Sequence, residues 1–177
     1  MQRLLEALQS LLDVSFIRRV RRNHGLEHAT IHLLSGRIPD LKIVGRSDMN
    51  GFWLYGNVST DAVHQSVTMA LNRMRAGEHQ LAIHPNCGTN LVTVALLGSL
   101  ATLFALIGSE KERFGKLQRL PLLALVLMLA MTIGQPLGLQ IQQYVTTLGD
   151  PADMEVMEIR QVNKGSMSVH RVRTHSS

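Results

Sequence analysis

Three histidines and a carboxylate crowd into His24-Gly25-Leu26-Glu27-His28-Ala29-Thr30-Ile31-His32. His24 and His28 are four positions apart, so on a helix both rings can aim a nitrogen at one ion. Glu27 falls on the same face, where a carboxylate can take a proton from water. A second polar cluster, His84-Pro85-Asn86-Cys87-Gly88-Thr89-Asn90, lies far along the chain. His84 and Cys87 form an H-x-x-C pair, and a cysteine thiolate is a strong Zn²⁺ ligand. One bound Zn²⁺ would account for both clusters. The expected ligands are His24, His28 and Cys87, with His84 as the fourth or as a partner to one of them. Four protein ligands would make the ion structural, whereas an open position would permit catalysis with Glu27 as general base. His32, His64, His79 and His170 are by default ordinary surface or core histidines.

These residues need elements to hold them. Residues 2–17 read as an amphipathic helix with Leu4, Leu8, Leu11 and Leu12 in a stripe and Leu5 beside it. Arg18-Arg19-Val20-Arg21-Arg22 follows, either a solvated helix end or a lipid-headgroup contact. A second helix is expected from His24 to Ser35, with Asn23 as N-cap and Gly36 just past its end. Leu26, Ala29 and Leu33 share its packing face, and His24, Glu27, His28, Ile31, His32 and Ser35 share the opposite one.

Residues 41–58 predict a β-hairpin with its turn over Ser47-Asp48-Met49-Asn50-Gly51. A helix capped by Ser59 or Thr60 should run to Ala76, with Val63, Val67, Ala70, Leu71 and Met74 inward. Leu81-Ala82-Ile83 suggests a short buried strand, ended by Pro85, and Thr89 or Asn90 can cap the helix beyond it. After Asp150-Pro151, a β pattern around a turn at Asn163-Lys164-Gly165 predicts a terminal hairpin added to the same sheet as 41–58 and 81–84.

Between Thr89 and Gly108 no residue carries a formal charge, a stretch of roughly 30 Å as a helix and enough to cross a bilayer. Leu120 to Leu139 is also uncharged, and the loop between, 109–119, is charged. Together they read as a transmembrane helical hairpin. Most of the Lys and Arg lie in the flanks, which favours a cytoplasmic face for them.

The chain has 177 residues, a net charge of +5 and one Cys, so it fits one small domain and forms no internal disulfide. A basic chain can meet nucleic acid or anionic lipid. The apolar stretches favour the lipid bilayer, and no nucleic-acid-binding signature is present. Another membrane protein is a further expected partner.

The expected fold class is α+β: a small sheet with helices on the soluble side, plus a two-helix transmembrane hairpin. The expected segments are 1–88 with the H-x-x-E-H helix, 89–140 as the hairpin, and 141–177 as a C-terminal β-hairpin completing the α+β domain. His24-Gly25-x-Glu27-His28 with His84-Pro85-x-Cys87-Gly88-Thr89 before an apolar helix resembles a family of bacterial integral-membrane proteins that carry HGxEH and HPxCGT motifs. That resemblance implies an inner or internal bacterial membrane and a paired site, but brings no reaction. His24, Glu27 and His28 alone resemble the inverted zinc peptidases. Those are much longer soluble proteins with a distal glutamate ligand, a role for which Glu78 and Glu110 here lack a motif. The leading expectation is therefore a membrane protein whose metal ion is structural or serves partner binding. The alternative is a membrane-anchored, peptidase-like hydrolase.

Overall fold

In the computed structural model one helix, α1 (Ser15–Arg37), carries both the arginine run and the H-x-x-E-H motif. The structure describes residues 6, 9–107, 118–162 and 168–177. The expected break at Asn23 is absent. Its side chain caps nothing and instead donates to the Asp48 carbonyl at 2.8 Å, tying the helix to the sheet. With no capping bond at Asn23, the ladder continues through it. Gly36 likewise lies inside α1, which ends at Arg37. Ile38 is extended, as the residue before Pro39 must be.

Two compact units make up the chain: Met1–His84 with Gln143–Ser177, and Pro85–Gln142. The first holds a four-stranded antiparallel sheet of order β1-β2-β4-β3. Its strands are β1 (Val44–Asp48), β2 (Gly51–Tyr55), β3 (Glu155–Gln161) and β4 (Val169–His175). Ser47 and Asp48, expected in the turn, belong to β1 and pair with Phe52 and Gly51. The turn is tighter because Asp48 Oδ1 accepts from the Asn50 N–H at 2.8 Å. The terminal hairpin joins through β4, which pairs with β2.

Helix α2 (Thr60–Arg75) is capped by Ser59, whose hydroxyl accepts from Ala62 N. Its five expected apolar residues are all buried. Leu26, Ala29 and Leu34 of α1 meet Phe52, Val63, Val67, Met74 and Val172 in one core. The predicted strand at 81–83 is instead a 3-10 helix, His79–Ala82, and no part of the sheet. The carbonyls of Ala82 and Ile83 accept from His28 and His32 rather than from a strand neighbour.

The second unit pairs α3 (Gly88–Leu106) with α4 (Leu120–Ile141). Cys87 caps α3: its Sγ accepts from Thr89 N at 3.4 Å. Thr89 and Asn90, expected as caps, lie within the helix. Asn90 donates to the Pro85 carbonyl at 2.7 Å and accepts from Gln142 at 3.0 Å. A Cβ at Gly134 would press on Val94, and one at Gly138 on Asn90, so these glycines let the backbones close in. Arg119 donates to the Ala105 carbonyl at 3.0 Å and so satisfies an open end of α3.

Two helices, Gly88–Leu106 and Leu120–Thr146, are long and apolar enough to cross a membrane. The second continues past Pro136 and ends in a wider π-helical turn, Gln142–Thr146. Leu4, Leu5 and Leu8 of the first predicted stripe lie outside the described residues. So do 109–117 of the charged loop, the turn at Asn163-Lys164-Gly165, and Met167.

Candidate metal centre

The face of α1 that carries His24, Glu27 and His28 is not solvent-facing. Glu27 is 4% exposed and His28 is 2% exposed, while Leu26 and Ala29 behind them are fully buried. The helix is thus enclosed on both sides, against the expectation that its polar face lay away from packing. The sheet allows this because β1 presents almost nothing to it. A Cβ at Gly45 would overlap the Glu27 carboxylate, and Ser47, two residues on and on the same face, donates its hydroxyl to Glu27. Burial pushes the Glu27 carboxyl above the usual carboxylate range, against the opposing pull of Ser47 and His24.

The two histidines of the motif are oriented alike. Nδ1 of His24 lies 3.0 Å from the Thr146 carbonyl, and Nδ1 of His28 lies 2.7 Å from the Ala82 carbonyl. A carbonyl only accepts, so each Nδ1 carries the hydrogen. In the neutral ring that leaves the Nε2 lone pair for a ligand, the arrangement in which metal-binding histidines are held. The ring centroids of His24 and His28 are 4.3 Å apart. His32 is turned the other way, with Nε2 on the Ile83 carbonyl at 2.8 Å.

His84 stands 5.7 Å from His28 and 4.7 Å from His32 by ring centroid. Burial, with His32 and His28 beside it, pushes its pKa down to about 4. It is therefore neutral at physiological pH. Cys87 follows three residues later and is buried. Ligand atoms of His24, His28 and Cys87 all lie within 4.8 Å of one another, a group that could hold a metal ion. Neither His84 nor Glu27 is a member of that group. Two imidazoles and a thiolate fit a borderline-soft ion such as Zn²⁺.

Of the other histidines, His170 is fully buried in β4 with Nε2 3.1 Å from the Thr60 hydroxyl. It has no part in the cluster. An open apolar groove of about 830 Å³ runs along α3 and α4, lined by Val94, Gly98, Thr102, Leu106, Leu127 and Met131. It contains no titratable group and so none of this chemistry.

Sequence reasoning did not identify Gly45, Ser47, Asn23 or the carbonyl of Thr146 as neighbours of the motif. A small residue at every second position of β1 was the available signal for Gly45 and Ser47. The carbonyl contacts carry no side-chain signature.

The fold and the cluster together define a mixed α/β protein with two long apolar helices and a His/His/Cys group. Residues 19–159 match the family model described as "Domain of unknown function (DUF6391)", and the chain belongs to that family. An uncharacterized protein from Picosynechococcus sp. is 33% identical over 171 residues, covering 89% of this chain and 78% of the relative. No solved structure matches.

Proposed function

We propose that the chain is a membrane-anchored protein whose α1 motif binds one Zn²⁺ through His24, His28 and Cys87, and that this centre hydrolyses an amide or ester bond. The observation that carries the reading is the shared orientation of the two imidazoles, each with Nδ1 spent on a backbone carbonyl. Three protein ligands leave a tetrahedral ion with one open position, the pattern of catalytic zinc. Zn²⁺ there supplies Lewis acidity. Glu27 is the general base of this reading. It is held by Ser47, sits on the same helix face as both histidines, and is spared from ligation. The apolar α3 and α4 supply the membrane anchor.

A second reading is favoured by His84. Its ring lies against those of His28 and His32, and it is neutral at physiological pH, so it is suited to close the coordination shell and make the ion structural. The test uses full-length protein purified without a His-tag in detergent. Wild type and Glu27→Gln should each hold about one Zn²⁺ per chain, and only wild type should turn over a pool of fluorogenic peptides and esters. Equal turnover in both proteins removes Glu27 as base. Bound Zn²⁺ with no turnover in wild type leaves the structural reading.

A further inference from the structure

The four arginines of α1 fall into two pairs with different occupations. Arg21 donates to the Tyr144 carbonyl at 3.0 Å and the Thr147 carbonyl at 3.2 Å. Arg22 donates to Asp153 at 3.3 Å and to the Ser177 carbonyl at 3.0 Å. Both are nearly buried and tie α1 to the C-terminal part of its own unit. Arg18 and Arg19 are half-buried and hold no hydrogen bond or ion pair among the described residues. The Nε of all four is out of solvent contact and without an acceptor, so the pairs differ at their terminal nitrogens, which are bonded in Arg21 and Arg22 and not in Arg18 and Arg19. Two adjacent guanidinium groups are therefore left with donors and no anion, which is costly unless something supplies one.

Their surroundings say what kind of anion. Immediately N-terminal, Leu11, Val14 and Phe16 are 56%, 47% and 52% exposed. Residues 9–12 are helical, Asp13 and Val14 form a bend, and α1 begins at Ser15. At ~100° per residue, Phe16 lies about 60° from Arg19 but about 160° from Arg18, and Arg18 instead stands one turn above Val14, whose carbonyl accepts from its N–H at 2.9 Å. A soluble anion would give no reason for three apolar side chains to face water beside its site. An anionic phospholipid gives one, since its phosphate takes the guanidinium groups while its acyl region takes the apolar side chains.

We infer that residues 11–19 form an interfacial contact for anionic phospholipid, with Arg18 and Arg19 on the headgroup phosphate and Leu11, Val14 and Phe16 in the upper acyl layer. The contact is independent of the metal reading. It adds a specific lipid preference to an anchor that α3 and α4 would otherwise supply without one.

The test places the full chain in phosphatidylcholine vesicles containing a minor fraction of brominated phosphatidylglycerol or brominated phosphatidylcholine. A Phe16→Trp reporter in a Trp53→Phe background reads which lipid sits against residue 16. The brominated anionic lipid should quench more strongly. Arg18→Gln with Arg19→Gln should remove most of an approximately thirtyfold preference, at about a factor of five for each arginine. Arg18→Lys with Arg19→Lys should retain most of it, which separates charge loss from misfolding. Excess inorganic phosphate should not displace the lipid. Equal quenching by the two lipids, no quenching by either, or displacement by phosphate overturns the inference.

Discussion

Helix α1 and the pair α3/α4 are built on opposite plans. In α1 the polar residues are inside: Arg21, Arg22, Asn23, Glu27, His28 and Thr30 are all buried. In α3 and α4 the apolar residues are outside: Leu91, Leu96, Leu103, Phe104 and Met128 are each at least 60% exposed. A helix of the first kind depends on partners for its buried polar groups, and here they are backbone carbonyls, Ser47, Asp153 and the sheet, with only the Nε of Arg21 and Arg22 left over among the described residues. A helix of the second kind leaves large apolar surface uncovered, which a soluble protein avoids. The same chain thus buries a polar helix in one unit and turns apolar helix surface outward in the other.

The inversion can be broken at either end. The largest effect is expected at Gly45, where any side chain meets the Glu27 carboxylate. Gly45→Val should cost about 3 kcal/mol or more in unfolding free energy, measured by denaturant titration of the purified chain. A loss under ~0.5 kcal/mol would show that β1 does not press on the motif.

Next comes Leu96→Lys, at an outward position near the middle of α3. In a bilayer this change costs ~3–4 kcal/mol of insertion, and the fraction resisting alkaline carbonate extraction should fall accordingly. If α3 instead faces water, the change is worth no more than ~0.5 kcal/mol, and wild type itself would be extracted.

The smallest effect concerns Asp48, where the sheet meets α1. Burial alone would raise its carboxyl. The Arg171 guanidinium, paired through both nitrogens at 2.7 and 2.8 Å, more than offsets this together with the Asn50 N–H and Trp53, so the group sits below the usual carboxylate range. A depressed folded pKa stabilises the fold above the unfolded value, and that contribution is lost as pH falls through the folded one. The thermal midpoint should therefore drop on acidification below pH ~4, and Asp48→Asn should flatten that slope slightly. An unchanged slope would remove Asp48 as a contributor.

Much of this plan was legible in the residues. The Asn50-Gly51 turn located the first hairpin, the spacing of Val63, Val67, Ala70, Leu71 and Met74 gave the buried side of α2, and the uncharged stretches gave α3 and α4. The two motifs pointed to His24, His28 and Cys87, and also to His84, which is not in the group. What was not legible depends on partners distant in sequence. Asn23 looks like a cap until Asp48 and Thr174 are placed beside it. Leu81-Ala82-Ile83 looks like a strand until His28 and His32 claim its carbonyls. Cys87, read as a metal ligand, also caps α3, a position where Ser, Thr, Asp or Asn is the usual choice.

The central claim, a zinc ion on the two histidines of α1 and Cys87, is tested most directly by zinc-edge X-ray absorption on the untagged full chain. The predicted result is about one Zn²⁺ per chain, with two imidazole nitrogens at ~2.0–2.1 Å, one sulfur at ~2.3 Å and one further light atom. Protein without any transition metal, or a zinc shell without sulfur, would contradict the account.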